Sequence, residues 1–597
     1  MEQKQRSEFP EQELWDLTAL YQDQEDFLRA IEKAREDINQ FGKNYKGNLS
    51  SFADFELAFA ELEQILIQMS HIGNYAFMPQ TTDFGDETFA QIAKAGTDFE
   101  TWAGVELSFF DDALVAADEE VLEQLGQLPH LTAAIREAKI KKAHYLSPEV
   151  EKALTNLGEV FYSPQDIYTK MRAGDFAMAD FEVDGQVYKN SFVTYENFYQ
   201  NHENAAIREK SFRSFSAGLR QHQNTAAAAY LAQVKSEKLL ADMRGYDNIF
   251  DYLLAEQEVE RSMFDRQIDL IMEEFAPVAQ RYLKHVAKVN GLEKMTFADW
   301  KLDLDSALNP DVTIDDAYDL VMKSVAPLGQ EYTQEVARYQ RERWVDFAAN
   351  AGKDSGGYAA DPYRVHPYVL MSWTGRMSDV YTLIHEIGHS GQFIFSDNHQ
   401  SYFNAHMSTY FVEAPSTFNE LLLSDYLEQQ FDTPRQKRFA LAHRLTDTYF
   451  HNFITHLLEA AFQRQVYTLI ENGETFGASK LNSIMKDVLT QFWGDAVEID
   501  DDAALTWMRQ SHYYMGLYSY TYSAGLVIST AGYLHLKNDE NGAQDWLEFL
   551  KSGGSKTPIE SAAIIGADIS TDKPLRDTIQ FLADTVDQII AYSQQLQ

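Results

Sequence analysis

The chain has 597 residues, 45% hydrophobic and 13% aromatic, enough to bury a large core and too apolar for extended disorder. Its 92 acidic and 50 basic side chains leave a formal charge of −42, a field that repels a phosphate backbone and argues against nucleic acid as a partner. Cysteine is absent, so disulfides are excluded and a metal would have to be held by His, Asp or Glu.

The first residues carry no apolar stretch of the secretory kind, and no run of 18 apolar residues occurs further on. The expectation is a cytoplasmic protein that makes no use of a membrane. From Phe27 onward apolar residues recur at helical spacing: Phe27-Leu28, Ile31, Ala34 and Ile38 form a stripe with charges between them. Similar stripes cover roughly 51–70, 88–105, 131–142, 203–217, 224–242, 262–290, 314–342, 436–471 and 575–595. Two stretches differ. Within 176–198, the residues near 176–190 read as a β-hairpin turning at Asp184-Gly185. Within 355–373, Ser355-Gly356-Gly357-Tyr358 reads as a loop and Tyr368-Val369-Leu370-Met371-Ser372-Trp373 as a strand. The pattern predicts a mainly α protein with an N-terminal helical lobe over 1–195, which includes the hairpin, and a helical lobe over 196–597 that carries the chemistry.

That chemistry is announced at His385-Glu386-Ile387-Gly388-His389. Residues i and i+4 lie one above the other on a helix, so both imidazoles reach one ion, and zinc accepts such nitrogens together with a carboxylate. Glu386 is then placed to take a proton from water at the ion. Leu383, Ile384 and Ile387 make this helix a buried one, where unpaired histidines would be costly. A third His six residues on is missing, since position 395 is Phe395, so the third ligand has to be a carboxylate among Asp397, Glu413, Glu420, Asp425 and Glu428. Glu413 is favoured because it stands in the apolar frame Tyr410-Phe411-Val412-Glu413-Ala414-Pro415, where a carboxylate requires a cation. Asp397, beside Asn398 and His399, reads as a solvated turn. Glu420, seven residues beyond Glu413, shares its helical face and is a candidate to orient a ligand histidine. His366, His406, His443 and His456 read as structural, and His451 pairs with Asp447 at i, i+4 spacing.

The segment His385 to Gly391, followed by Phe411-Val412-Glu413-Ala414-Pro415-Ser416, resembles the thimet oligopeptidase family, the M3 metallopeptidases, in its bacterial oligoendopeptidase F branch. The resemblance implies an elongated helical ellipsoid with a deep central channel, a small β-sheet beside the zinc site, and one Zn2+ per chain held by His385, His389 and Glu413. It also implies Glu386 as catalytic base and hydrolysis of internal bonds in oligopeptides short enough to enter. The strand near 366–373 matches the place where the family lays its substrate along a sheet edge, a mode that reads backbone.

A second segment, Ser511-His512-Tyr513-Tyr514-Met515-Gly516-Leu517-Tyr518-Ser519-Tyr520-Thr521-Tyr522, matches the family's loop of His and Tyr donors for the oxyanion, though the tyrosine spacing departs from that of the mammalian members. His512 and Tyr520 are assigned catalytic roles, with Tyr514 and Tyr518 as further substrate or oxyanion candidates. Two rival readings are a peptidyl-dipeptidase, with Arg364 or Arg376 clamping a terminal carboxylate, and a non-catalytic helical peptide binder with a structural metal. Glu386 opposes the latter, since a structural site has no use for a free base.

Overall fold

Helices account for 72% of the chain, and the two sheets are small. The computed structural model describes residues 4–305, 308, 310–354 and 356–596, so Ser355 of the predicted loop lies outside the described residues. Local sequence explains where the first helices begin. In α1 (Gln24–Tyr45) the Asp23 side chain accepts from Asp26 N, and Phe27, Ile31, Ala34, Ile38 and Phe41 form the buried face. Helix α2 (Phe52–Thr82) opens on a capping box of Ser51 and Asp54, and α3 (Glu87–Ala116) on Asp86. These three helices pack on one another around Phe27, Phe59, Phe99 and Phe110.

Further along run α4 (Gly158–Lys170), α5 (Ala205–Met243), α6 (Met377–His399), α7 (Ala414–Gln430), α8 (His456–Glu471), α9 (Ser519–Asn538) and α10 (Gly542–Ser552). Between α4 and α5, β1 (Phe181–Val183) and β2 (Gln186–Tyr188) pair antiparallel around Asp184-Gly185, both at positive φ as such a turn requires. No helix among the described residues is long and apolar enough to cross a membrane.

The other sheet has β3 (Val345–Asp346), β4 (Tyr358–Ala360) and β5 (Tyr368–Leu370), ordered β3-β5-β4. β5 runs parallel to β3 and antiparallel to β4. Ala360, Tyr368 and Leu370 pack on Trp15 and Met78. The fully buried Asp346 is neutralised by Lys353, whose Nζ lies 2.6 Å from Oδ1, and by Arg6.

Two compact units emerge, each assembled from separate stretches of chain. One comprises Met1–Tyr145, Asn309–Tyr426 and Ile528–Asp568, the other Leu146–Leu308, Leu427–Val527 and Ile569–Gln597. This division differs from a boundary at 195/196 because α4, on the N-terminal side of that boundary, packs along α5 on its other side.

Candidate metal centre and active site

On α6 the rings of His385 and His389 stand one turn apart, 4.9 Å between centroids. Glu413, the residue before α7, brings Oε2 to 3.4 Å from His385 Nε2 and 3.2 Å from His389 Nε2. The close approach depends on Gly388: a Cβ there would lie 2.4 Å from Pro415 O and 2.6 Å from Ser416 Cα. Ser416 Oγ donates to Glu413 Oε2 at 3.0 Å, and Thr417 Oγ1 donates to Glu413 O at 2.6 Å. From the next turn of α7, Glu420 Oε1 lies 2.5 Å from His385 Nδ1, which leaves Nε2 of that ring facing Glu413. Two imidazole nitrogens and one carboxylate oxygen thus converge on a point. A tetrahedral ion with bonds of about 2.0–2.1 Å holds its donors about 3.3 Å apart, so this set fits a divalent metal with little adjustment and leaves one position for solvent.

Charge supports the fit. Burial alone would lower the proton affinity of His385, yet the Glu420 hydrogen bond and the charges of Glu420, Glu386 and Glu413 lift its pKa to about 10. Burial would raise Glu413, but His389 and His385 pull it down to about 2. Three carboxylates surrounding two imidazoles demand positive charge, and a divalent ion supplies it in place of protons. Glu386, 6% exposed, is pushed up by burial against the pull of the two imidazoles, so its carboxylate is a stronger base than an exposed one.

The sheet corrects one expectation. The 366–373 strand, β5, is the centre of the sheet, with its hydrogen-bonding groups engaged on both sides, so it offers no edge. Among the described residues β4 pairs only with β5, which leaves its other side as one edge of the sheet, β3 forming the other. The chain just before β4 lies against α6: a methyl at Gly357 would come within 3.3 Å of Glu386 Oε1 and 3.2 Å of Thr382 Cγ2.

The tyrosine segment separates into two faces. Tyr520 is fully buried, its hydroxyl donating to Gln257 Oε1 at 2.6 Å, and Tyr514 is buried and stacked on Tyr168. Both are packed in the core, which contradicts the role expected of Tyr520 and the candidacy of Tyr514. His512, Tyr518 and Tyr522 are partly exposed and adjacent: Tyr522 Oη lies 3.4 Å from His512 Nε2, and the Tyr518 ring is 5.7 Å from His512 and 5.3 Å from Tyr522. Tyr522 was missed from the sequence, although Tyr518 and Tyr522 stand four apart at the start of α9 while Tyr520 turns to the opposite side. His456 joins them, stacked on Tyr522 at 4.0 Å and 4.8 Å from His512.

Other readings also change. Asp397 is 4% exposed inside α6 and accepts from Arg364 N at 2.9 Å, so it is not a solvated turn. Asp447 pairs with His443, whereas His451 meets His456, the two Nε2 atoms 3.0 Å apart. The cause is a π-helical stretch, Arg444–Thr455, in which residues five apart come together. Arg364 is engaged by the carbonyls of Asp397 and Gln400, whereas Arg376 makes only an exposed ion pair with Asp311.

Comparison with known proteins agrees with this geometry. Residues 198–581 match the family model for peptidase family M3, and residues 114–177 match that for oligopeptidase F. The chain belongs to peptidase family M3 and is a metallopeptidase. It is 26% identical to oligopeptidase PepF of Bacillus subtilis over 592 residues, covering 98% of this chain and 88% of the relative. It is also 26% identical to an oligoendopeptidase F homolog of Borreliella burgdorferi, covering 98% of this chain and 99% of that one. Among solved structures, a peptidase from Chlamydophila abortus superposes with a TM-score of 0.86 at 23% identity, covering 99% of this chain and 100% of that one, and shares the fold.

Proposed function

We propose that this chain is a cytoplasmic zinc oligoendopeptidase that cleaves internal bonds of short peptides. The observation that carries the reading is the convergence of His385 Nε2, His389 Nε2 and Glu413 Oε2 beside the buried carboxylate of Glu386. When bound there, zinc supplies Lewis acidity toward a peptide carbonyl and toward water. Glu386 takes the proton of the attacking water and returns it to the leaving amine. Glu420 holds His385 in the tautomer and orientation that present Nε2. The free edge of β4 receives the substrate backbone as an added strand, which suits peptides of varied sequence. His512, Tyr518 and Tyr522 are the donors for the tetrahedral oxyanion. The surface charge of −42 favours peptides carrying amino termini and basic side chains.

Mapping products from a mixed peptide pool by mass spectrometry, with and without chelator, tests the reading. Internal cleavage of roughly decapeptide-length substrates, abolished by chelator and restored by zinc, is expected. Release of C-terminal dipeptides alone, or cleavage that survives chelation, would refute it.

A further inference from the structure

A second set of metal-competent donors lies apart in sequence from the HExxH helix. His456 and Glu459 occupy the first turn of α8, and His512 comes from the short helical turn before α9. One donor atom from each lies within 4.8 Å of the others. His456 Nδ1 is 2.8 Å from Glu459 Oε2, and His456 and Glu459 are only 1% and 4% exposed. The third donor, His512, is partly exposed, so an ion has access from solvent on that side. His451 backs the set through its contact with the other nitrogen of His456, an outer partner that would fix how that ring faces an ion.

We propose that His456, Glu459 and His512 form a second zinc site, filled only when zinc is in excess, and that an ion held there inhibits by withdrawing His512 from the reaction. The two imidazoles and the carboxylate are ordinary zinc ligands, and their donor atoms, all within 4.8 Å of one another, lie near the roughly 3.3 Å spacing of a tetrahedral site. Its filling second follows from charge. The first site gathers three carboxylates around two imidazoles, whereas here Glu459 is the sole carboxylate in the set, and Lys301 and Arg509 act on the neighbouring His451. Arg509 is answered in part by its ion pair with Glu196 at 2.7 Å. Positive charge nearby weakens cation binding without abolishing it. The inhibitory half rests on the proposed role of His512; the binding half does not.

The experiment is metal analysis of the full-length enzyme dialysed against rising free Zn2+, with turnover measured on the same samples. Wild type is expected to pass from one bound ion to two, with turnover falling about 10²-fold as the second binds, the loss typical of a missing oxyanion donor. E459Q and H456Q should both stop at one ion, and E459Q should show no further loss of turnover as free zinc rises. H535Q, which breaks the surface trio His535, Asp539 and Asp545, should still reach two. H389A should lose the first ion and retain the second; equal metal content in H389A and wild type would instead indict the first site. A plateau at one ion in wild type, or a second ion kept by both E459Q and H456Q, overturns the site. A second ion bound with turnover unchanged overturns the inhibition.

Discussion

The two polar clusters of this protein differ in kind. The one on α6 and α7 is rich in carboxylates, Glu386, Glu413 and Glu420 around His385 and His389. The one at the start of α8 and α9 is rich in nitrogen and phenol donors, His451, His456, His512, Tyr518 and Tyr522, with Lys301 and Arg509 acting on it. The proposed mechanism assigns them different tasks: the first cluster would hold a cation and take a proton, and the second would supply neutral donors to the oxyanion. The contrast teaches that burial alone does not decide what a polar group does; the sign of its neighbours does.

The strongest way to break the comparison is to neutralise the first cluster one carboxylate at a time. Glu386→Gln is expected to keep its metal and lose turnover by about 10²–10⁴-fold, the range of a general base. Glu413→Ala is expected to lose the metal itself, read by metal analysis of the purified protein. If both variants lost metal equally, Glu386 would be holding the ion instead of acting as base.

Next in size is a test inside the second cluster. Tyr522→Phe should lower kcat about 10²-fold with KM little changed, as removal of one oxyanion donor does. Tyr520→Phe should leave kcat nearly intact and lower stability by about 1–2 kcal/mol, because the buried Gln257 loses the hydroxyl that now pairs with its Oε1 at 2.6 Å. The reverse outcome would restore Tyr520 to the site. Smaller again is Glu420→Ala, with a 10–100-fold loss of zinc affinity expected from an outer partner of His385, measured by competition with a chromophoric chelator.

The candidate metal cluster was legible because its spacing is the spacing of a helix: His385 and His389 at i, i+4 need no tertiary knowledge, and the apolar frame of Glu413 marks a carboxylate in want of a cation. Gly388 adds a reason visible only in space, since nothing in the sequence says that Pro415 passes within 2.4 Å of where its Cβ would be. The tyrosine segment was half legible. Five tyrosines in ten residues point to donors, but which of them face outward depends on where α9 begins, and the glycine-bearing turn before it hides that start. Sheet order was illegible: two-residue and three-residue strands carry too little pattern to show that β5 lies between its neighbours. The π-helical stretch 444–455 also leaves no trace in an apolar stripe, so the partner of His451 was misread.

The mildest prediction sets Glu413 against another buried carboxylate. Glu237 on α5 is 7% exposed and accepts from Tyr467 Oη at 2.5 Å and Gln233 Nε2 at 2.9 Å. Burial outweighs those two hydrogen bonds and pushes it up to about 7, where Glu413, flanked by imidazoles, is drawn down to about 2. A carboxyl that holds its proton more tightly when folded favours the native state below its unfolded pKa of 4.5, and that advantage is lost as pH rises through about 7. The shift corresponds to at most about 3 kcal/mol. Glutamine mimics the protonated acid at every pH, so Glu237→Gln should match wild type in denaturant unfolding near pH 5 and exceed it near pH 8. A variant that is less stable than wild type at both pH values would show that Glu237 is held as a carboxylate by a cation after all, and would place it with Glu413 instead of opposite it.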